Sequence, residues 1–424
     1  MSKKMDLVLE EALGRVNPSE DKIKEISESL ESFLVKINSR IKNLKIDAEI
    51  FVGGSYAKNT LVRKDKYDVD LFLRFSKKYS EKDFSRLSKK ILRFFRGVKT
   101  VHGSRDYFRI RRDASFFFEI VPVKKIVKPG EAQNVTDLSY SHVKYISKKI
   151  KKKEIFDSIK LAKAFCATNR VYGAESYVGG FSGYALELLV YYFGSFEKFL
   201  RELSKNQNKK LIIDIEKYYK KNEIMIEINS SKLDSPIVLI DPTYKVRNVL
   251  AALTDETFDR FQKSAEAFLK NPSMDFFVLK KIDFEKERRE AKKNGREFLE
   301  LKLKTKKQAG DIAGTKLLKF FNHLSKETEK YFDVEKKDFE YDGKKEARSF
   351  LVLKRKNKIV FDGPKVEDSK NVEKFKLEHG KVYEKNGRLY SEKKVDVDAS
   401  EFLENWKRKN WKKVREMGIC GINF

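Results

Sequence analysis

Sulfur and imidazole are scarce in this chain, with two cysteines and four histidines among 424 residues. Cys166 and Cys420 lie too far apart for the paired spacing of a zinc site, and two thiols make no disulfide framework. Cys166 falls inside an apolar helical pattern and is expected to be a small buried hydrophobe. His102, His142, His323 and His379 are scattered and form no metal-binding run. Long hydrophobic stretches are also missing. None approaches the roughly 20 apolar residues that span a bilayer, and Met1 to Asp6 has no apolar signal core. A membrane partner is therefore excluded from the reading, and a cytoplasmic location is expected. There is no internal repeat and no long linker.

Charge of one sign is abundant. Lys and Arg number 93 against 64 Asp and Glu, a net charge of +29. Part of that excess belongs on solvated faces, since acids are plentiful too. The remainder raises the local concentration of polyanions, and nucleic acid is the first candidate. With 40% hydrophobic residues and 33 Phe the chain can build real cores. Its length implies two or three domains.

The hydrophobic period marks out the elements. Ile23, Ile26, Leu30, Leu34, Ile37, Ile41 and Leu44 recur at helical spacing behind a potential cap at Ser19. Residues 48–52 read as a strand that Gly53-Gly54 breaks, with a short helix over 55–61. Residues 68–75 alternate as a second strand, 84–95 form a helix, and 105–112 and 116–123 are two more strands. Residues 155–200 are helical in spacing, interrupted by the glycine-rich 177–183. A short strand covers 237–241 and a helix covers 257–269. In the last third, 298–303, 349–355 and 359–361 read as strands and 314–332 as a helix. Trp406 and Trp411 sit in a basic C-terminal helix. That last third fits a small RNA-binding sheet or a structural α+β module equally well. The whole is expected to be α+β, with domains at 1–145, 146–272 and 273–424.

Three acids and a glycine pair carry the chemistry. Asp68 and Asp70 are two apart on a strand, so their carboxylates share a face. A cation between them is the simplest way to keep both ionised, and Mg²⁺ accepts one or two carboxylates together with phosphate oxygens. Gly53-Gly54-Ser55 stands just upstream. It lets backbone approach a triphosphate closely, with Ser55 and Lys58 in reach of phosphate. Glu119 stands in Phe116-Phe117-Phe118-Glu119-Ile120-Val121-Pro122, a run that is otherwise apolar. A buried lone carboxylate needs a partner, which makes Glu119 the candidate third metal ligand. The alternative is an ion pair with Arg109 or Arg111.

Gly-Gly-Ser, Asp-x-Asp and a later third acid resemble the nucleotidyltransferases of the DNA polymerase β superfamily. Six runs narrow the likeness: FVGGSYAKNT (51–60), YDVDLFLRF (67–75), FEIVPV (118–123), VYGAESYVGGFSGYALELLV (171–190), DPTYKVRNVLAAL (241–253) and GPKVED (363–368). Together they resemble the archaeal, class I CCA-adding enzymes, from about residue 16 to about 375. The resemblance implies a polymerase β-like head, a mostly helical central domain that recognises the nucleotide, and a C-terminal α+β RNA-binding body with a basic helical tail. It implies addition of C, C and A to the 3′ end of tRNA from CTP and ATP, with two Mg²⁺ ions held by Asp68, Asp70 and Glu119. Gly54, Ser55 and Lys58 would cradle the triphosphate. Ser139, His142, Lys163 and Tyr172 fall where the family places further triphosphate and ribose contacts. Arg247 matches an arginine that contacts the incoming base and the tRNA backbone. The family usually has Asp in place of Glu119 and Arg in place of Lys58. On residue type alone His142 would be a surface or capping histidine and Tyr172 a core aromatic. A terminal transferase making poly(A), and an RNA-binding protein that has lost catalysis, are the competing readings. Whether two copies pair as a homodimer is left open.

Overall fold

The structure is a computed structural model that describes residues 3–103, 105–205, 210–220, 223–279, 281–394 and 397–424. It separates into two compact units, 1–280 and 281–424.

In the first unit, α1 (Lys3–Val16) turns Met5, Leu9 and Ala12 inward. α2 (Glu20–Asn43) begins where the Ser19 hydroxyl accepts a hydrogen bond from the Lys22 amide (3.3 Å). Its Ile26, Leu30, Phe33, Ile37 and Ile41 are buried, the stripe that the spacing predicts. Then come β1 (Ala48–Val52), the single turn α3 (Gly54–Ala57), β2 (Tyr67–Phe75), α4 (Glu81–Leu92), β3 (Val98–Val101), β4 (Tyr107–Arg111) and β5 (Phe116–Lys124). The strands make one sheet in the order β1-β2-β5-β4-β3, with β2 and β5 parallel and the other neighbours antiparallel. One face buries Val69, Leu71, Leu73, Phe108, Ile110, Phe118 and Ile120 with the apolar stripes of α2 and α4. Each such side chain contributes about 1.5–3 kcal/mol. Alternation sends Asp68, Asp70, Arg109 and Glu119 to the opposite face.

The same unit continues with α5 (Ser139–Lys149), α6 (Lys153–Thr168), α7 (Gly183–Phe193) and α8 (Phe196–Ser204). β6 (Leu211–Ile213), α9 (Ile224–Glu227), β7 (Ile237–Asp241), β8 (Tyr244–Asn248) and α10 (Asp255–Lys270) follow. Phe165, Phe181, Phe199, Phe261 and Phe268 form the centre of a second core, where Cys166 is fully buried as expected. The glycine-rich segment ahead of α7 is explained by contact. A Cβ on Gly180 would stand 2.2 Å from the Val171 carbonyl oxygen.

The second unit contains α11 (Phe284–Lys293), β9 (Glu297–Thr305), α12 (Asp311–Thr328), β10 (Phe332–Tyr341), β11 (Glu346–Arg355), β12 (Lys358–Lys365), α13 (Ser369–His379), β13 (Val382–Lys385), β14 (Arg388–Lys394), α14 (Ala399–Glu416) and β15 (Ile419–Asn423). One sheet has the order β10-β11-β9-β15 and a smaller one β12-β14-β13. Leu301, Leu303, Phe320, Leu351 and Trp406 form the core between the larger sheet, α12 and α14. The helix expected to reach residue 332 stops at Thr328, and Phe332 opens β10 instead. The Thr328 hydroxyl donates back to the Leu324 carbonyl (2.9 Å) at that end, and Phe332 is buried in sheet pairing with Arg355. Among the described residues no helix is long and apolar enough to cross a membrane.

Candidate active site

The parallel register of β2 and β5 sets Asp70 opposite Glu119 and Asp68 opposite Phe117. The three acids predicted from sequence therefore share the open face of the sheet. Their partners differ. Asp68 accepts an ion pair from Lys64 Nζ (2.7 Å). Glu119 accepts from Arg109 Nε (2.8 Å), so the pairing raised as the alternative is present. The Asp70 carboxylate has no hydrogen-bond or ion-pair partner among the described residues. Burial, and after it the charges of Asp68 and Glu119, push its pKa up to about 7. Burial raises that of Glu119 as well, against the opposing effect of Arg109.

Among the described residues no three carboxylate, imidazole or thiolate groups form a ready-made metal cage. Glu119 is turned to Arg109 instead. The donors nonetheless fit a hard divalent cation. Asp70 is an unpartnered, mostly buried carboxylate beside a second one, and such an ion needs only one or two carboxylates when water and phosphate complete its shell. Glu119 joins that set only by giving up Arg109.

The glycine pair is built around Asp70. Gly54 has φ +61, and a Cβ there would lie 1.8 Å from Asp70 Oδ2. The Gly53 amide donates to the Asp70 carbonyl (2.9 Å), and a Cβ on Gly53 would lie 2.2 Å from the Phe72 ring. Backbone thus closes on the acid where any side chain would push it away. Ser55, next in line, is half-buried, and its hydroxyl has no partner among the described residues.

Lys58 and Lys163 come together on a residue the sequence reading missed. Glu187, fully buried on α7, accepts from Lys58 Nζ (2.6 Å), Thr60 Oγ1 (2.8 Å) and Lys163 Nζ (2.8 Å). Lys163 also donates to Thr60 Oγ1 (2.7 Å) and to the Thr60 carbonyl (3.2 Å), which engages all three of its N–H bonds. Lys58 has one such bond here and keeps two donors free, with its ammonium 5.6 Å from the Tyr184 ring centroid. Burial would raise Glu187, yet the two lysines hold it at about 2. Burial lowers Lys163 to about 8, with Glu187 opposing.

Tyr184 leads to the remaining predicted residues. Its ring stacks on His142 (centroids 4.0 Å, 21°). His142 Nε2 lies 3.1 Å from Asp241 Oδ2, and Arg247 donates to the same oxygen at 2.7 Å. Thr243, through its amide and hydroxyl (both 2.8 Å), and the Tyr184 hydroxyl (3.3 Å) supply Asp241 Oδ1. Against burial, the contact with His142, and after it the Arg247 charge and the Thr243 amide, hold Asp241 below the usual carboxylate range. His142 is buried and its pKa is lowered, burial outweighing Asp241. It is no surface histidine. Ser139 starts the same helix one turn earlier and is half-buried. Tyr172 leaves 40% of its surface exposed, which differs from the core aromatic expected. Its hydroxyl points inward, 3.0 Å from where a Cβ on Gly183 would sit, with Lys163 Nζ 3.8 Å from that point.

Nine of the eleven predicted residues therefore fall into an acid-and-glycine row, a lysine knot on Glu187 and a His142–Arg247 pair on Asp241, the last two linked through Tyr184, while Ser139 and Tyr172 stand beside them. Glu187, Asp241, Thr60 and Tyr184 were absent from the sequence-derived set. A signal existed for one of them. Glu187 is a lone acid in the apolar run 185–190, the criterion that found Glu119.

Known proteins bear on this arrangement. A family model described as "tRNA nucleotidyltransferase, second domain" matches residues 157–278. The CCA-adding enzyme of Nanoarchaeum equitans is 33% identical over 350 residues, covering 81% of this chain and 83% of that protein. That of Methanocaldococcus jannaschii is 29% identical over 398 residues, covering 91% and 86%. A solved structure of the Cid1 poly(U) polymerase with Mg 3′-dATP bound superposes with a TM-score of 0.51 at 14% identity, covering 66% of this chain and all of that one. That likeness speaks for the fold alone. The identity to the archaeal enzymes, sustained over most of both chains, makes this chain a member of the archaeal CCA-adding enzyme family of tRNA nucleotidyltransferases.

Proposed function

We propose that the protein adds C, C and A in order to the 3′ end of tRNA, taking the nucleotides from CTP and ATP and releasing pyrophosphate. The observation that carries this reading is the unpartnered Asp70 carboxylate enclosed by Gly54, beside Asp68 and opposite Glu119. Family membership names the substrate. In this reading residues 1–145 are the catalytic head, 146–272 recognise the nucleotide and 273–424 grip the tRNA.

Asp68 and Asp70 would hold Mg²⁺, with Glu119 the third acid and two ions the full complement. When bound, the metal neutralises triphosphate charge and makes the RNA hydroxyl a better nucleophile. The protein's own groups orient the reactants. The Gly53-Gly54 backbone closes on Asp70, and the Ser55 hydroxyl and the free donors of Lys58 would be offered to the phosphate oxygens. Lys163 would have to release Glu187 or Thr60 to reach phosphate, so Lys58 is the readier contact. It lacks the planar fork of the family's arginine but keeps its charge. Asp241 fixes His142 and Arg247 together. In this role Arg247 reads the base edge and meets the tRNA backbone, and Tyr172 and Ser139 line the nucleotide's path. The basic charge of the chain suits an RNA substrate.

The test is incorporation with Mg²⁺ and three tRNA substrates, ending before CCA, after C and after CC. Successive use of CTP, CTP and then ATP is expected. Long A tracts would favour a poly(A)-type transferase, and no incorporation at all would sink the transfer reading. A second expectation concerns the cradle. Gly54→Ala places a methyl group against Asp70 in a left-handed backbone, and misplacement by an ångström is worth about 100-fold in rate. The kcat/KM for CTP should fall by about that factor, and a variant within twofold of the parent would remove Gly54 from the site.

A further inference from the structure

The open face of the head sheet is charged in two halves. The acids stand on β2 and β5. Outward from them, β4 and β3 carry Arg109 opposite Glu119, Lys99 opposite Arg109, and Arg111 opposite Phe117. A groove of about 250 Å³ opens among these strands, lined by Lys66, Lys99, Arg109, Arg111 and the Phe117 ring, with Asp113 as its acid. Asp113 is already engaged by Ser115 and by Lys22 (3.7 Å). Arg109 is committed to Glu119 and lies over Phe117, 4.9 Å from its ring centroid. Lys66 and Lys99 have no carboxylate partner among the described residues. Arg111 uses its Nε–H on the Asp113 carbonyl (2.7 Å) and likewise meets no carboxylate. Three uncompensated cations and an aromatic face thus border the acid row on one flank.

The two flanks of that row are not equivalent. Gly54 closes on Asp70 from the β1 side. In an in-line displacement the attacking and leaving oxygens lie on opposite sides of the phosphorus. If the triphosphate occupies the glycine flank, the attacking hydroxyl arrives from the β5–β4–β3 flank. Cations spaced across two strands suit the phosphates of single-stranded RNA, and the half-buried Phe117 ring beneath Arg109 adds an apolar wall.

We infer that the Lys66–Lys99–Arg111 groove holds the sugar–phosphate backbone of the RNA 3′ strand whose terminal hydroxyl reaches the acid row. The inference rests on the transfer reading proposed above and adds the place where the acceptor strand enters. Lys99 and Arg111 bond to none of the acids, so they can be changed without disturbing the centre.

The experiment uses the full chain and tRNA ending before CCA. Lys99→Ala/Arg111→Ala should raise the tRNA KM on the order of tenfold, leaving kcat and the KM for CTP as in the parent. The slope of log Kd against log salt, from direct titration, should shrink by about 1.4, the value for two single-strand phosphates. Lys99→Arg/Arg111→Lys should behave as the parent, which separates lost charge from a damaged fold. An unchanged tRNA KM and salt slope overturns the inference. So does a rise in the CTP KM instead, which would make the groove part of the triphosphate site. Because titration needs no turnover, a parent that binds tRNA but transfers nothing refutes the transfer reading while the salt slope still tests the groove.

Discussion

Asp70→Asn is expected to abolish nucleotide addition, on the order of 10³-fold or more, while leaving tRNA affinity nearly unchanged. It is also expected to raise the melting temperature of the metal-free protein near neutral pH. The second effect follows from the environment of the carboxylate. Asp70 is raised from 3.8 to about 7 by burial and by Asp68 and Glu119. A group raised on folding contributes stability that is fully present below its ordinary pKa and is lost as pH climbs through the folded one. Ionised Asp70 is therefore a liability above about pH 7, and asparagine removes it. Near pH 4 the two proteins should melt alike. Mg²⁺ should reverse the order at higher pH by stabilising the wild type, since a ligand bound only by the folded state raises its melting temperature. The variant should gain little. Melting curves at about pH 4 and pH 8, with and without Mg²⁺, check this without any turnover. A wild type indifferent to Mg²⁺, or a variant with near-parental activity, would remove Asp70 from the metal set.

Much of the head could be read in advance because its signals are local. Period-two alternation marks 68–75 and 116–123, and burial follows it in β2 as far as Leu71 and in β5 as far as Pro122, beyond which neighbouring positions are buried on both faces. The turn at Gly53-Gly54 was legible as a break. That Gly54 is required by the Asp70 carboxylate emerges only when the two approach in space. What escaped the sequence are partners. Lys58 meets Glu187 across 129 positions and His142 meets Asp241 across 99. Composition fixes that a buried charge needs a counter-charge, but not which one. The pairing of Glu119 with Arg109 shows the same limit, since both readings of that acid hold at once: it faces Asp70 and it carries an arginine. Short edge strands were also missed. β3 has four residues and β15 five, too few for a pattern to stand out from the loops around them.

The lysine knot yields the other large effect. Glu187 is the common acceptor of two ammonium groups that the nucleotide reading assigns to the triphosphate, and it is fully buried. Glu187→Gln keeps the shape of the side chain and removes its charge. Two lysines are then left buried without a counter-ion, and losing one partner of such a set costs about 3–5 kcal/mol. The denaturation midpoint of the protein should drop accordingly. The kinetic signature is more specific. Burial already lowers Lys163 to about 8, and Glu187 is the main influence opposing that descent. Without it Lys163 falls further and loses its proton at a lower pH. The KM for CTP should then climb through the neutral range in the variant, whereas the parent holds its affinity up to about pH 8. Glu187→Asp, which retains the charge at a shorter reach, should keep the parental pH profile with a smaller loss of stability. A Glu187→Gln enzyme that melts lower yet shows the parental KM–pH profile would mean that Glu187 only fills the core. A profile displaced to lower pH would mean that it keeps the lysines charged for the triphosphate, and that the cradle of Gly54 and Ser55 depends on a carboxylate contributed from α7.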